Sequence, residues 1–576
     1  MAVRASGRSL TGHLVGSESA IHETHAHAGA VNNEKKKLMS VPVIDLFAGP
    51  GGLGEGFART SSVRFEIAVS IEKDGMAFET LQLRAAHRAL ARDGQATRAT
   101  WSRWDAALND APWNIAFEML RCSGDAAIEA ACEAARQESW NLEMGPKNRA
   151  EVSQGIRQRL QPFMRRQRLP DNIVLIGGPP CQAYSVVGRS RNRGTEGYKA
   201  ENDHRHFLYR EYLQVINEFR PAAFVMENVK GILSARVSDR QIFETITADL
   251  KRPDLACGQD TKLGYVLVAL PHGSSTPADP DPEHYIVEAE KYGVPQARHR
   301  VIILGVREDV FARAGKVRRL RPGVSSTVNE VIFDLPLLRP ELSYRGKGMT
   351  WLDSLDLPIM SSALDELRST GRRTDKRVAA MMEKVRARLR GRHDPGSGAD
   401  RLLFDRGAMS GPKVHARWYR DRPMELLANH QSRSHMPSDL VRYLFVSTYG
   451  VESGESPRLS DFPASLLPAH RNVDHANLQD AIFKDRFRVQ VADRCGMTVT
   501  SHIGKDGHAF IHPDPFQCRS LTAREAARLQ TFPDSYVFLG NRTSQYTQIG
   551  NAVPPFLAGQ IADIVADVLV KAGVAN

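Results

Sequence analysis

From Pro42 onward, short apolar runs alternate with amphipathic stretches. Val43-Ile44-Asp45-Leu46-Phe47, Ile67-Ala68-Val69-Ser70-Ile71, Ile173–Ile176, Ala223-Phe224-Val225-Met226, Gly264–Leu270 and Val301–Val306 are each of strand length and bounded by turn residues. Helical spacing fills the gaps. One helix is expected from Asp74 to about Leu90. A second runs from His206 to Phe219, with Leu208, Tyr212, Val215 and Phe219 on one face, and Pro221 stops it. Thr522-Ala523-Arg524-Glu525 is a capping box opening a helix that must end before Pro533. A last helix, about 554–571, puts Leu557, Ile561, Ile564 and Val568 on one side, and its expected berth is the sheet of the first domain. Strands alternating with helices predict an α/β fold built on a doubly wound, mostly parallel sheet.

The rhythm is broken in three places. Residues 1–40 are polar and read as a mobile tail. A helix-rich insertion of about 84–170 carries Trp101, Trp104, Trp113 and Trp140. From 311 to 495 the chain is rich in Arg and Pro and reads as irregular, apart from a basic helix-like stretch from Arg372 to Arg392. The expected organisation is therefore a first domain over 41–310, a second, smaller irregular domain over 311–495, and a return to the first over 496–576. A length of 576 residues is too great for one core and agrees with this division.

Composition narrows the class. Hydrophobic residues make up 42% and charged residues 25%, as in ordinary globular proteins, and no apolar run predicts a membrane span. The first forty residues show no secretory signal. Cys122, Cys132, Cys181, Cys257, Cys495 and Cys518 are scattered, without zinc-ligand spacing or a disulfide framework, so no metal is expected and the setting is reducing and cytoplasmic. The formal net charge of +11 favours a polyanionic partner, nucleic acid before membrane.

Four segments carry candidate chemistry. Gly49-Pro50-Gly51-Gly52-Leu53-Gly54 follows a strand, and Glu72 ends the next one; the pair suits a nucleotide-type cofactor whose ribose hydroxyls meet an acid. These residues leave open a dinucleotide, which would use the helix N-terminus, or S-adenosylmethionine, which would use the glycines for close approach. Gly178-Pro179-Pro180-Cys181 places a cysteine at the mouth of a buried strand, where the prolines fix the backbone behind a candidate nucleophile. Glu227-Asn228 ends another strand and offers a carboxyl group for proton transfer. In Gln296-Ala297-Arg298-His299-Arg300, alternation in extended chain aims Gln296, Arg298 and Arg300 one way, suited to an anionic or carbonyl-rich ligand.

The order of these segments, with Asp45-Leu46-Phe47-Ala48-Gly49, Arg519–Glu525 with Leu529-Gln530-Thr531-Phe532-Pro533, and Gln548-Ile549-Gly550-Asn551-Ala552-Val553-Pro554-Pro555, resembles the DNA cytosine-C5 methyltransferases. The resemblance implies a Rossmann-like methyltransferase domain that binds S-adenosyl-L-methionine. It implies a cofactor site of Phe47, Gly49, Gly51, Gly52, Glu72 and Pro179, closed from the C-terminal segment by Asn551 and Val553. It further implies that Cys181, Glu227, Arg298 and Arg300 are catalytic, that Gln182, Ser185, Arg189, Arg191 and Arg193 meet DNA, and that 311–495 is the target-recognition domain. The family's Gly-Asp-type segment before the Pro-Cys strand, which supplies an aspartate to the cofactor adenine, has no evident counterpart here.

The expected reaction is addition of the Cys181 thiolate to C6 of a flipped cytosine, with Glu227 at ring N3 and Arg300, supported by Arg298, at the ring carbonyl, followed by methylation at C5. The expected partner is double-stranded DNA met by a monomer in a bacterial-type, nucleoid-associated cytoplasm, with a cognate restriction endonuclease or defence proteins as further partners. A tRNA cytosine-C5 methyltransferase is the nearest alternative. A zinc-type base deaminase is disfavoured because Cys181-Gln182-Ala183-Tyr184 lacks the second cysteine, and an NAD-dependent oxidoreductase leaves the thiol and its neighbours unexplained.

Overall fold

A computed structural model describes residues 40–92, 94, 96–180, 208–237, 240–271, 281–343, 348–404, 411–422, 425–468 and 487–575. The polar segment before residue 40 falls outside these, as do Cys181, Gln182, Ser185, Arg189, Arg191 and Arg193.

The centre of the molecule is an eight-stranded sheet. Its strands are β1 (Ser40–Leu46), β2 (Arg64–Glu72), β3 (Ser139–Asn141), β4 (Val174–Gly177), β5 (Ala223–Val229), β6 (Tyr265–Ala269), β7 (Ile286–Glu288) and β8 (His299–Arg307). They lie in the order β3-β2-β1-β4-β5-β8-β6, with β7 also paired to β8. The strands from β3 to β5 run parallel. Strand β8 runs antiparallel to β5, β6 and β7. The first strands read as nearly unbroken apolar runs because both faces of the sheet are covered. Val41 and Val43 point into one core, which also takes in Leu557, Ile561, Ile564 and Val568; Ile44 and Leu46 point into the other, with Tyr212, Val215 and Phe219.

Helices α1 (Gly52–Ala58) and α2 (Gly75–Arg92) follow β1 and β2. The insertion then supplies α3 (Arg98–Asp110), α4 (Ala116–Arg121), α5 (Ala126–Glu138) and α6 (Arg149–Leu160). It is not purely helical: β3 lies between α5 and α6 and extends the sheet edge beside β2. Helix α7 (Leu208–Phe219) precedes β5, and α8 (Ile242–Lys251) follows it.

The region from 311 to 495 is more ordered than its composition suggests. Helices α9 (Pro358–Ser369), α10 (Arg373–Leu389) and α11 (Pro437–Ser453) pack around a separate core that includes Leu364, Met382, Leu440 and Phe445. The many arginines masked this on the sequence: along α10 they lie at exposed or half-buried positions, while Val378, Met382, Val385 and Leu389 are buried. A hairpin, β9 (Gly398–Leu403) with β10 (Leu426–Gln431), lies between α10 and α11 in the chain.

The C-terminal part returns to the sheet through α12 (Ala523–Leu529), α13 (Arg542–Asn551) and α14 (Pro555–Lys571). Thr522 caps α12 as the spacing predicts, accepting from the Glu525 backbone N–H while the Glu525 carboxylate accepts from that of Thr522. The stretch 542–571 is long and apolar enough to cross a membrane, but its apolar window is 72% buried in this fold. Helix α14 lies so close to α1 that a Cβ on Gly56 would stand 2.4 Å from that of Ala558. Gly56→Val is expected to wedge the two helices apart at a cost of about 1–3 kcal/mol, read as a lower denaturation midpoint.

Candidate active site

Open parallel sheets offer ligands the rim at the carboxyl ends of their strands. Here β1, β2, β3, β4 and β5 all end on one rim. Because β8 is reversed, its first residues meet the end of β5 on that rim, Arg300 opposite Val229 and Ile302 opposite Glu227.

At the end of β1 the backbone turns sharply. Phe47 (φ 56), Gly49 (φ 57) and Gly51 (φ 99) are all left-handed, a conformation that costs glycine little and explains the glycine-rich sequence. Gly52 opens α1, and its missing side chain is needed: a Cβ there would stand 2.3 Å from the backbone oxygen of Val553. The glycine turn and the C-terminal segment therefore touch directly. At the end of β2, Glu72 accepts the backbone N–H of Gly49 (2.8 Å) and of Asp74 (2.8 Å), one on each carboxylate oxygen. Burial pushes its carboxyl above the ordinary range, and these N–H bonds only partly offset that. Asn141, at the end of β3, lies opposite Glu72 and donates to its backbone oxygen (2.9 Å).

At the middle of the rim, the Asn228 amide donates to Pro179 O (3.1 Å), tying the end of β5 to the proline two positions before Cys181. Glu227 Oε1 lies 3.0 Å from Arg300 Nε, and a Cβ on Gly178 would stand 3.0 Å from Glu227 Oε2. The Arg300 guanidinium also donates to the backbone oxygen of His299 (2.8 Å). Burial lowers the Arg300 pKa, partly offset by the Glu227 carboxylate. Pro179, Glu227 and Arg300 are thus brought together with the glycine turn on one edge.

Gln296 and Arg298 serve a different purpose from the one alternation suggests. Gln296 donates to Leu529 O and to Gln530 Oε1, both at 2.8 Å, and accepts from Val499 N–H. Arg298 is 2% exposed and donates to Val499 O (2.9 Å) and Gly550 O (3.1 Å). Arg298, expected to be catalytic in support of Arg300, places its two terminal nitrogens on buried backbone carbonyls of the C-terminal part, while its Nε has no hydrogen-bond partner among the described residues. Gln530 continues the clamp by donating to Ile549 O (2.7 Å). Asn551 ends α13 and is exposed, and Val553 follows two residues later against Gly52.

Below the glycine turn lies a buried charge network. Glu55 of α1 is fully buried and takes a two-pronged ion pair from Arg84 of α2. Arg84 also donates to Ser535 Oγ (2.9 Å) and reaches Asp421 (3.3 Å). The neighbouring Arg422 pairs with Asp105 of the insertion (3.1 Å) and stacks 4.4 Å over the Trp101 ring. Asp105 is thus committed to a structural pair. Sequence reasoning missed Asn141, because a three-residue strand gives no alternation to detect. It missed the Arg422–Asp105 pair because 317 residues separate the partners.

The rim of this α/β sheet thus gathers a glycine turn, a buried acid and a carboxylate–guanidinium pair at neighbouring strand ends. The model of the C-5 cytosine-specific DNA methylase family matches residues 147–566, and the chain belongs to that family, the DNA (cytosine-5-)-methyltransferases. A protein of Bacillus paralicheniformis named "Type II methyltransferase M.Bpa9945I" is 31% identical over 533 residues, covering 92% of this chain and 99% of that one. "DNA (cytosine-5-)-methyltransferase M.ApeKI" of Aeropyrum pernix is 25% identical over 561 residues, covering 91% and 98%. "Type II methyltransferase M.AgeI" of Thalassovita gelatinovora is 28% identical, covering 68% and 82%.

The buried pair beneath the turn gives a pH signature. Burial raises the Glu55 pKa, but Arg84 outweighs it and holds the carboxyl down at about 2. A carboxyl depressed by folding contributes stability above its unfolded pKa and loses it as pH falls. The contribution is about 3 kcal/mol at neutral pH, lost between roughly pH 4.5 and 2. Glu55→Gln should remove that component of acid unfolding and destabilise the protein at pH 7, as measured by denaturant titration across pH.

Proposed function

We propose that this enzyme methylates C5 of cytosine within a specific double-stranded DNA sequence, with S-adenosyl-L-methionine as donor and Cys181 as covalent nucleophile. The observation that carries the reading is the Glu227–Arg300 pair, which stands beside Gly178-Pro179 on the same rim as the glycine turn. The type II names of its relatives favour a place in restriction-modification, beside a cognate endonuclease or in phage defence. We take it to act as a monomer on DNA in a bacterial-type cytoplasm.

The residues present fit that cofactor. The turn after β1 admits close backbone approach, Phe47 offers an aromatic face, and each Glu72 oxygen keeps a lone pair for a ribose hydroxyl. At the rim end of β3, Asn141 is our candidate for the role of the family's adenine-facing aspartate. Pro179, Asn551 and Val553 complete the walls. When bound, S-adenosyl-L-methionine supplies an electrophilic methyl group.

Cytosine C5 is a weak nucleophile, and addition of a thiolate at C6 makes it an enamine carbon. Cys181 forms that bond. Glu227 holds a proton at ring N3 as charge develops, and Arg300 steadies both the carboxylate and the ring carbonyl. Once C5 has taken the methyl group, its proton passes to water, the C5–H electrons form the C5–C6 double bond and expel Cys181 as thiolate, and the N3 proton returns to Glu227. Arg298 is a positioning residue, keeping the strand that bears Arg300 against the C-terminal wall. The base must leave the stack to be reached, and Gln182, Ser185, Arg189, Arg191 and Arg193 follow the nucleophile in sequence as its DNA contacts.

Bisulfite sequencing of DNA from a host expressing the chain should reveal protected cytosines in one short motif. Complete conversion, or methyl incorporation into tRNA instead of duplex DNA, would overturn the reading. Cys181→Ala is expected to abolish methyl transfer while the cofactor Kd, by calorimetry, stays within about twofold. Glu227→Gln should lower kcat by about 100-fold or more with little change in DNA affinity; an unchanged rate would reduce Glu227 to a strand-end cap.

A further inference from the structure

More than half of the chain's net charge lies in one short segment, helix α10 and its flanks. Residues 372–392 hold nine Lys/Arg against two acids, a surplus of seven out of +11. Helix α10 buries Asp375, Val378, Ala379, Met382, Val385 and Leu389. Its exposed positions are Arg373, Lys376, Arg377, Ala380, Lys384, Ala387 and Arg388, with no carboxylate among them. At 3.6 residues per turn they span an arc of about 120° and a length of about 22 Å.

The cations divide into two sets. Arg372 pairs with Asp375 and Asp461, Arg377 with Glu452, and Arg386 and Arg390 with Asp356; these fix the helix to its neighbours. Arg373, Lys376, Lys384 and Arg388 make no ion pair or side-chain hydrogen bond among the described residues. Helix stability does not account for them. Arg373 and Lys376 lie in or just after the first turn, where the helix dipole disfavours cations, and Lys384 and Arg388 repel each other at i,i+4. Ala380 and Ala387 keep the face between them flat.

We propose that this face of α10 is a phosphate track for duplex DNA flanking the target site, a contact additional to the active-site rim. It rests on the reading of the enzyme as a DNA methyltransferase. A row of uncompensated cations along one helix matches the evenly spaced charge of a phosphate backbone, and its affinity comes from counterion release.

The test is a quadruple variant, Arg373→Gln, Lys376→Gln, Lys384→Gln and Arg388→Gln, beside a control that removes four exposed cations elsewhere (Arg136, Lys147, Lys316 and Arg321, each to Gln). On a duplex of about 40 base pairs of random sequence, binding by the α10 variant should weaken about tenfold or more near 0.15 M salt. The slope of log K against log salt should become shallower by about 2 to 4, with the control near wild type. Equal loss in both variants, an unchanged slope, or a loss confined to structured RNA would overturn the proposal. On duplexes centred on the motif found by bisulfite sequencing, the loss should appear at about 40 base pairs and vanish at about 14; equal loss at both lengths would overturn the flanking assignment. Unchanged thermal denaturation shows that the variant is folded. If wild type methylates nothing, the reading of function fails, while the random-sequence measurement still decides the role of α10.

Discussion

The reversal of a single strand makes the candidate active-site rim possible. Four segments with candidate chemistry are scattered over 250 residues, and three of them lie at or beyond strand ends. The fourth, Gln296–Arg300, lies at a strand start. In an all-parallel sheet it would emerge on the opposite edge, a full strand length from Glu227. Because β8 runs against β5, Arg300 arrives beside Glu227 with its Nε 3.0 Å from the carboxylate. The pair is largely buried, so its partners cannot be exchanged for water cheaply, and removing either one would strand the other's charge.

A second constraint holds this edge in register with the rest of the chain. Gln296, Arg298 and Gln530 satisfy buried carbonyls of Val499, Leu529, Ile549 and Gly550. Each bond contributes modestly, but losing one leaves a desolvated carbonyl, which is the larger cost. The Glu55–Arg84–Asp421 network does the same below the glycine turn, and Arg422–Asp105 carries the connection on into the insertion. The insertion thus has a visible structural part: it extends the sheet with β3 and braces the segment around residue 422.

Much of this was legible in the residues alone. The strand and helix positions around the sheet follow from apolar runs and periodicity, and the Thr522 capping box and the berth of the last helix are present in the structure as expected. The sequence was less informative where partners are distant or surfaces are decorated. Arg298 looks like a ligand-binding arginine because extended alternation cannot show that Val499 and Gly550 return to meet it. Residues 311–495 look irregular because arginines crowd the outer faces of helices whose buried sides recur only every three or four residues. Strand β8 reads as one more member of a parallel set, since direction within a sheet is decided by the connections and not by the strand's own composition.

The contact of Gly52 with Val553 has a consequence for the life of the chain. When the glycine turn leaves the ribosome, the segment that covers it is still about five hundred residues away. A ribosome-bound chain still short of α13 and α14 therefore leaves the Gly52 side of the turn uncovered. Fragments that stop before residue 553 therefore hold the glycine turn without the backbone that covers it.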